Sequence, residues 1–332
     1  MGAVTEVSKV KQRFGATIQT IELLKERNVL SAFTDWRYYS YKNNRNELVK
    51  RLKYTDTSNG VYFNSMLEDC GELEYVPDLD TSKGETFSKM FYAMHNLLKS
   101  PKIDTSNGKD FYAMYNCCCK MKEAPQLETK NGENFSYMYL NCQVMDGELT
   151  ADVSNGKNFE GFLNNAYKIK AVALDNMDLE KAENTKMMFD GCHEVELIAG
   201  AVMGKTGAKH MFRACGKAQS ILGFKINPYL TNSSDVWLST FEWCYELVTL
   251  EIDGVNYWGG LDLSPCKKLS KYSIIRVMDC LAPNGKQQFI NLSKTAVNKA
   301  FETSAGANDG AASAEWDALI KEHSTWDIRL QN

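Results

Sequence analysis

The sequence predicts an α/β solenoid, in which rungs of about 24 residues, each a strand, a turn and a helix, stack between capping segments at both ends. Three observations support this prediction: a motif at constant spacing, apolar residues at fixed positions in each unit, and an acidic residue before each turn. The motif begins at five positions 24 residues apart, Thr57, Thr81, Thr105, Thr129 and Val153. Such self-similarity is typical of stacked repeats, which cannot bury their apolar faces alone.

The segment after each turn is predicted to be a helix. Apolar residues follow each start by 6, 9, 10, 13 and 16 residues, and in the second unit they are Phe87, Met90, Phe91, Met94 and Leu97. Separations of three and four residues place side chains on one face of a helix. The spacing therefore predicts about three turns of amphipathic helix in each unit.

A short strand is predicted before each turn, at 75–80, 99–104 and 123–128, where apolar and polar residues alternate. A proline in each of these segments limits how much of it can join a ladder. The Asn-Gly or Lys-Gly pair that follows predicts a turn in which glycine takes a positive φ.

The acidic residue before each turn has two possible roles. Its carboxylate can accept hydrogen bonds from the backbone of its own turn, which the residue order Asp-Thr-Ser-Asn favours. Alternatively, carboxylates stacked roughly 5 Å apart on paired strands could share calcium ions. The residues concerned are Asp56, Asp80, Asp104, Glu128 and Asp152.

Later units keep the pattern less strictly. Met188, Met211 and Thr240 are each followed directly by phenylalanine, and a cysteine comes three residues after that phenylalanine. With the five regular units, these three give about eight rungs. Beyond them, helices are predicted at 270–280, 294–301 and 311–323, a strand at 289–292, a mobile linker at 304–310 and a final edge strand at 326–328. The predicted domains are an N-terminal arm and cap (1–56), the repeat solenoid (57–255) and a C-terminal cap with helices (256–332).

Composition excludes several function classes. The net charge of −4 is mild and there is no basic stripe, which argues against nucleic acid as a partner. No apolar run approaches the roughly 18–20 residues that a membrane span needs, and the N-terminus lacks the order of a secretory signal. The four histidines have no metal-ligand or triad spacing, so no catalytic residue, metal or cofactor is predicted.

Six of the ten cysteines share one inward position of the repeat. Free cysteine behaves as a small buried hydrophobe, so we predict that these thiols pack in the core. A disulfide between rungs, such as Cys118–Cys142, is the alternative in an oxidising setting. The sequence supports a zinc site at 117–119 less than it supports core packing, because paired CxxC or histidine partners are lacking. The six residues are Cys70, Cys118, Cys142, Cys192, Cys215 and Cys244.

Aromatic residues between the buried positions are the best guide to a binding surface. Exposed tyrosine and tryptophan provide rigid contact area with a polar tip, which suits protein or carbohydrate ligands. The alternative is that these rings pack between rungs or under caps. The predicted ligand-binding residues are Tyr92, Tyr112, Tyr137, Trp237, Trp243 and Trp258.

Two stretches carry a family resemblance. Asp80-Thr-Ser-Lys-Gly-x-x-Phe87-x-x-Met90-Phe91 and Asn184-x-x-x-Met188-Phe189-x-x-Cys192 resemble the BspA-type leucine-rich repeats, over roughly residues 56–250. The chain departs from that pattern by glycine in place of valine after the turn and by phenylalanine in place of an Asn-Met pair. The resemblance implies a right-handed leucine-rich-repeat-like solenoid with a binding role and no catalytic residues.

Proteins with such repeats are typically surface or secreted bacterial adhesins, and they also occur among bacteriophage tail and fibre proteins. We therefore expect a non-enzymatic component of a phage virion or tail, active in assembly or host recognition. Its expected partners are other virion proteins or a host-surface protein or glycan, and a homo-oligomer is compatible with this role. A bacterial surface or secreted adhesin is the alternative, and a glycan-processing enzyme would require paired carboxylates in one groove.

Overall fold

A computed structural model describes residues 57–58, 60–146, 149, 152–173, 179–230, 235–283, 288–301 and 313–332. The chain divides into two compact units, Met1–Lys157 and Asn158–Asn332. The strands pair in parallel within two sheets and are accompanied by short helices, which confirms the mixed α/β class. The predicted arm and cap at 1–56, the carboxylate of Asp56 and the linker at 304–310 lie outside the described residues.

The helices predicted within the repeats are wrong, because the segments that follow each Gly consist of successive tight turns. In the second repeat, Met90 N–H donates to Phe87 O (3.0 Å) and Met94 N–H donates to Phe91 O (3.3 Å), each a bond between residues three positions apart. Consecutive four-residue turns separate buried side chains by three and four positions, as a helix does. The apolar spacing was therefore compatible with both structures.

The remaining backbone N–H groups of these turn segments bond to the next repeat. Phe87 N–H donates to Asp110 O (2.8 Å), Lys89 N–H to Tyr112 O (2.8 Å) and Phe91 N–H to Met114 O (2.9 Å). Alternate residues thus serve the turn and the neighbouring repeat, so no donor is left for the i→i−4 bonds of an α-helix. Parallel bridges accompany these bonds at Tyr62↔Thr86, Thr86↔Asp110 and Asp110↔Asn134.

Two residues in each turn segment, four positions apart, adopt the left-handed backbone conformation. In the fourth repeat they are Tyr137 (φ 57°) and Asn141 (φ 61°), and in the fifth repeat they are Gly161 (φ 59°) and Asn165 (φ 59°). Glycine and asparagine tolerate this region, whereas most residues pay a steric cost in it. The pairs recur at Ser65 and Asp69, Lys89 and Ala93, Ala113 and Cys117, Met187 and Gly191, His210 and Ala214, and Ser239 and Trp243.

A column of phenylalanine rings forms the core of the first unit. Phe63, Phe87, Phe111 and Phe135 are buried, and neighbouring rings stack with centroids 5.3–5.6 Å apart and planes within 5°. The glycine of each turn faces this column. A Cβ on Gly108 would lie 2.5 Å from Phe111 Cζ and 3.0 Å from Phe87 Cε2. The expected positive φ at these glycines is therefore wrong: they provide space for the rings.

Strands are absent at the predicted positions 75–80, 99–104 and 123–128, although these residues are described. Pro77, Pro101 and Pro125 lack the N–H that a ladder requires. At the equivalent position of the second unit of the fold, where proline is replaced, strand β1 (Ala171–Ala173) forms. The strand prediction is thus correct for the later repeats and wrong for the earlier ones.

The second unit contains a four-stranded parallel sheet in the order β1, β2 (Leu197–Ala199), β3 (Ser220–Lys225) and β4 (Thr249–Asp253). The register pairs Val172 with Ile198, Ile198 with Ile221, and Ile221 with Leu250, and these four side chains are buried. Each strand comes from a successive repeat, so the apolar centre of the strand stacks in a column.

The predicted C-terminal elements are confirmed within the described residues. They are α1 (Lys271–Asp279), β6 (Phe289–Ser293), α2 (Lys294–Ala300), α3 (Ala314–Glu322) and β7 (Asp327–Gln331). A further strand that was not predicted, β5 (Leu261–Leu263), precedes them. Serine caps begin all three helices, at Ser270, Ser293 and Ser313. Strands β5, β6 and β7 form a second parallel sheet, with β7 at its edge.

Helix α1 hydrogen-bonds to the backbone of β4 and of Val248 directly before it. Buried Ser273 Oγ accepts from Leu250 N–H (2.9 Å) and donates to Val248 O (3.2 Å), and Arg276 Nη2 donates to Ile252 O (3.3 Å). These side chains replace the partners that a further strand would provide at the edge of the sheet.

None of the three described helices is long and apolar enough to cross a membrane.

Polar side chains in the turns also join successive repeats of the first unit. Thr81, Thr105 and Thr129 each donate through Oγ1 to a backbone carbonyl of the next repeat, at 2.6–2.9 Å. In the opposite direction, Asn107, Asn131 and Asn155 donate through Nδ2 to the preceding repeat, to Ser82 O, Ser106 O and Lys130 O, each at 2.8 Å. Backbone carbonyls at the turns thereby gain partners from the neighbouring repeats on both sides.

Candidate functional site

Two of the predicted tyrosines lie near one lysine on the turn segments of the first unit, and a third packs against one of them. Lys89 Nζ lies 5.3 Å from the centre of the Tyr92 ring and 5.9 Å from that of Tyr112. Tyr112 and Tyr137 meet edge to face, with ring centroids 6.1 Å apart and planes at 90°. We call these four residues the tyrosine–lysine cluster. All four are half-buried, so part of each residue is accessible to solvent.

The repeat places the cluster by register. Lys89 and Tyr137 both occupy the first left-handed position of their turn segments, eight residues after Thr81 and Thr129. Tyr112 stands one position earlier in the repeat that lies between them. Because successive turn segments are hydrogen-bonded side by side, these positions come together on adjacent repeats.

The electrostatics of the cluster combine a cation, π faces and one carboxylate. Glu68 Oε1 lies 3.9 Å from Lys89 Nζ, and the side chains are 22% and 37% exposed. A lysine ammonium near tyrosine faces gains about 0.5–1 kcal/mol at exposed sites. The arrangement therefore holds the lysine near the Tyr92 and Tyr112 rings and groups aromatic, cationic and acidic side chains on partly exposed turn segments.

The predicted tryptophans occupy different environments in the second unit. Trp237 is 1% exposed, and its Nε1 donates to Asn256 Oδ1 at 3.2 Å. The expectation that Trp237 lies on the surface is therefore wrong: it fills the core beside Phe224. Trp243 is 49% exposed and Trp258 is half-buried, so both remain available for contact.

Sequence reasoning missed several surface residues. Lys89 was not singled out, although it shares its repeat position with Tyr137. Tyr62, Tyr75, Tyr229 and Tyr272 are 45–76% exposed and follow no common repeat position that would have identified them. The available signal for Lys89 was its repeat position, which in other repeats holds Ser65, Ala113, Tyr137 and Gly161.

The carboxylates before the turns act as turn caps. Asp80, Asp104 and Asp152 each accept through Oδ1 from the backbone N–H two residues later, at 2.9–3.1 Å. Hydrogen bonds from Ser82 and Ser154 lower the pKa of Asp80 and Asp152 below its ordinary value. The capping interpretation is confirmed for these three residues, and no metal-binding group of His, Cys, Asp or Glu is found in the described part of the chain.

The inward cysteines are buried free thiols that also donate hydrogen bonds. Cys142 Sγ donates to Tyr115 O (3.2 Å), Cys215 Sγ to Phe189 O (3.2 Å) and Cys244 Sγ to Phe212 O (3.0 Å). Burial raises the pKa of all three thiols, that of Cys244 to about 12. The core-packing prediction is confirmed, and the acceptor carbonyls lie in the preceding repeat.

Cys117 and Cys119 are partly exposed and lie near His95. His95 Nδ1 is 3.1 Å from Cys117 O and 3.8 Å from Cys119 Sγ. Burial and the neighbouring Cys117 raise the pKa of the Cys119 thiol, which keeps it protonated near neutral pH. A protonated thiol is a poor nucleophile.

One protein-family model matches two successive stretches of this chain. A family described as Mycoplasma protein of unknown function, DUF285, matches residues 38–127 and 122–222. Together the two matches cover more than half of the 332 residues. The chain belongs to this family. The two DUF285 matches fall over successive groups of repeats, which supports a repeat protein. A search of curated proteins found no match.

Proposed function

We propose that this DUF285 protein is a non-catalytic binding and structural protein whose repeats present a surface to a macromolecular partner. The tyrosine–lysine cluster is the observation that carries this proposal. Its residues lie on adjacent repeats, are partly exposed and contribute little to the buried core. The turn carboxylates and inward thiols, by contrast, are engaged in structural hydrogen bonds.

The repeats of each unit are proposed to stack as a leucine-rich-repeat-like solenoid of the BspA type. Parallel bridges at equivalent positions, columns of stacked phenylalanines and strands drawn from successive repeats support this proposal. Repeats of this kind bury a continuous core between neighbours and leave one outer surface free for binding.

The first proposed setting is a bacteriophage virion or tail, where the protein acts in assembly or host recognition through virion proteins or a host-surface protein or glycan. Its support is the resemblance to repeats found in phage tail and fibre proteins. The second is a bacterial surface or secreted adhesin. The DUF285 description names a bacterial genus, and this favours the adhesin as the second candidate.

Binding through the tyrosine–lysine cluster can be tested with the double variant Tyr112→Ser/Tyr137→Ser. The labelled full-length chain is applied to immobilised glycans of defined structure and to intact bacterial cells. We expect retained folding and a loss of binding of about tenfold, because exposed aromatic contacts of this kind are common hot spots. Tyr75→Ser is the control, since Tyr75 is 61% exposed outside the cluster. Equal binding by all three proteins would exclude the cluster as the binding surface.

The setting is tested by measuring the mass of the chain in solution and by cryo-EM of the native source particle. Repeated copies on a virion would support the first setting. A free chain that coats cells or glycans would support the adhesin.

A further inference from the structure

A second surface feature of the first unit lies between the segments 99–103 and 123–127. These segments hold equivalent positions in successive repeats and enclose a groove of about 910 Å³. That volume is at the upper end of the roughly 300–1,000 Å³ of ligand pockets. We call it the proline groove, because Pro101 and Pro125 stand at equivalent places on its two sides.

The two sides of the groove are not joined by backbone hydrogen bonds. None links 99–103 to 123–127 in the described residues, whereas the preceding pair of segments, 75–79 and 99–103, is linked by Leu79 N–H, which donates to Lys102 O (3.3 Å). The corresponding residues of the second unit, Ala171–Ala173 and Leu197–Ala199, pair in a parallel sheet. Proline has no N–H for such pairing, so neither Pro101 nor Pro125 can donate across the groove.

The lining of the groove combines apolar walls with a cationic rim. Pro101, Ile103, Ala124 and Pro125 contribute apolar surface. Lys99, Lys102 and Lys122 are exposed, and none is within ion-pair distance of a carboxylate in the part of the chain that is described. Glu123 and Asp146 also line the groove, so the ammonium groups exceed the carboxylates by one.

We propose that the proline groove binds an extended acidic peptide segment in which apolar and carboxylate side chains alternate. Alternate side chains of an extended chain point to opposite sides, so the apolar set can cover the proline walls while the carboxylates reach the lysines. Backbone groups of an added extended chain find a place where the ladder is missing. A uniformly charged polyanion would leave the apolar walls uncovered.

The test is fluorescence anisotropy of the full-length chain with a short fluorescein-labelled peptide in which leucine and glutamate alternate. We expect saturable binding by the natural sequence. Lys99→Gln/Lys102→Gln/Lys122→Gln should bind at least about fivefold more weakly, as the loss of several exposed ion pairs implies. The matched control is Lys225→Gln/Lys267→Gln/Lys299→Gln, which removes three exposed lysines of the second unit and should bind as the natural sequence does.

A second variant tests the groove without changing its charge. Pro101→Val/Pro125→Val restores both N–H groups and favours closure of the ladder, so peptide binding should weaken while every lysine is retained. Circular dichroism confirms that each variant is folded.

Three results would overturn the proposal: absence of peptide binding, equal loss in the two lysine variants, or equal affinity for a peptide with serine in place of leucine. Full competition by dextran sulfate together with that last result would identify non-specific polyanion binding. Unchanged binding by the valine variant would show that the interrupted ladder is not the site.

Discussion

Gly108 leaves space for two phenylalanine rings that a side chain would fill. Its backbone φ is not positive, so this space, and not the backbone conformation, is the reason for glycine. A methyl group there would contact Phe111, Phe87 and Thr105 O at 2.5–3.0 Å. Overpacking of a well-packed core costs about 1–3 kcal/mol. We therefore expect Gly108→Ala to lower the free energy of unfolding by that amount in a urea titration.

A double-mutant cycle identifies the ring as the cause. Phe111→Leu shortens the side chain that meets the new methyl group, so Gly108→Ala should cost less in that background. If the two changes are additive, the contact with Phe111 does not account for the loss.

The buried thiols predict a specific pH dependence of stability. Burial raises the pKa of Cys244 from its ordinary value of 9.0 to about 12. The folded state then holds a proton that the unfolded state releases, so the stabilising contribution is complete below pH 9 and is lost as pH rises toward 12. The slope for one thiol is about 1.4 kcal/mol per pH unit within that window.

The measurement compares urea titrations of the natural sequence and of Cys244→Ala between pH 8 and the alkaline limit of folding. The variant should lose stability less steeply above about pH 9. Leu247→Ala is the control, because Leu247 is fully buried and does not titrate. Parallel curves for Cys244→Ala and the natural sequence would mean that the thiol ionises equally in both states.

At the scale of elements, helix α1 completes the edge of the four-stranded sheet through Ser273. Ser273→Ala removes the acceptor of Leu250 N–H and the donor to Val248 O, both at a buried position. A buried backbone group without a partner costs about 1–3 kcal/mol. We expect that loss of stability, together with faster hydrogen exchange in β4 measured by mass spectrometry.

Ser270→Ala provides the comparison within the same helix. Ser270 caps α1 by accepting from Ser273 N–H at 3.2 Å. Its Oγ also lies 2.9 Å from Ser273 Oγ, so its loss should cost about 1 kcal/mol and change exchange at Leu250 less than Ser273→Ala does. Equal exchange in both variants would contradict the role of Ser273 at the sheet edge.

The elements that sequence reasoning predicted correctly have signals of their own. Serine caps and separate amphipathic patterns mark α1, α2 and α3, and alternation marks β6. The turn segments were misread because helices and consecutive β-turns share the same apolar spacing. Asn141, Gly161, Asn165 and Gly191 carried the distinguishing signal, since these residue types favour the left-handed conformation at regular intervals.

The candidate site was predictable to the extent that it follows the repeat. Tyr92, Tyr112 and Tyr137 stand at outward positions that the period defines, whereas Lys89 becomes part of the site only when adjacent turn segments pair. Trp237 could not be placed from the period, because its burial depends on Phe224 of a strand and on Asn256 beyond β4.

At the scale of the whole molecule, the constant period makes a whole repeat removable. A chain without residues 105–128 keeps the register of the remaining repeats and allows Phe87 to stack on Phe135 as it does on Phe111. Stability in such arrays is close to a sum over repeats and their interfaces. We expect this deletion to fold with a lower free energy of unfolding and an unchanged circular dichroism spectrum per residue.

Removal of residues 105–116 is the matched control. It deletes half a repeat, so Thr81 no longer meets an equivalent residue one period later, and the ladders of threonine, asparagine and phenylalanine lose their partners. This chain should fail to fold cooperatively in thermal melts. Equal stability of the two deletions would contradict a structure built on the 24-residue register.

The asparagine side chains that join successive turns also govern how the protein ages chemically. Asn-Gly pairs ordinarily deamidate quickly, because the glycine nitrogen attacks the asparagine side-chain carbonyl. Here the N–H groups of Gly108, Gly132 and Gly156 donate within their turns at 2.7–2.8 Å, and the preceding asparagine amides are held by the neighbouring repeat. The folded chain thus protects three vulnerable bonds, and succinimide formation at them becomes a record of time spent unfolded.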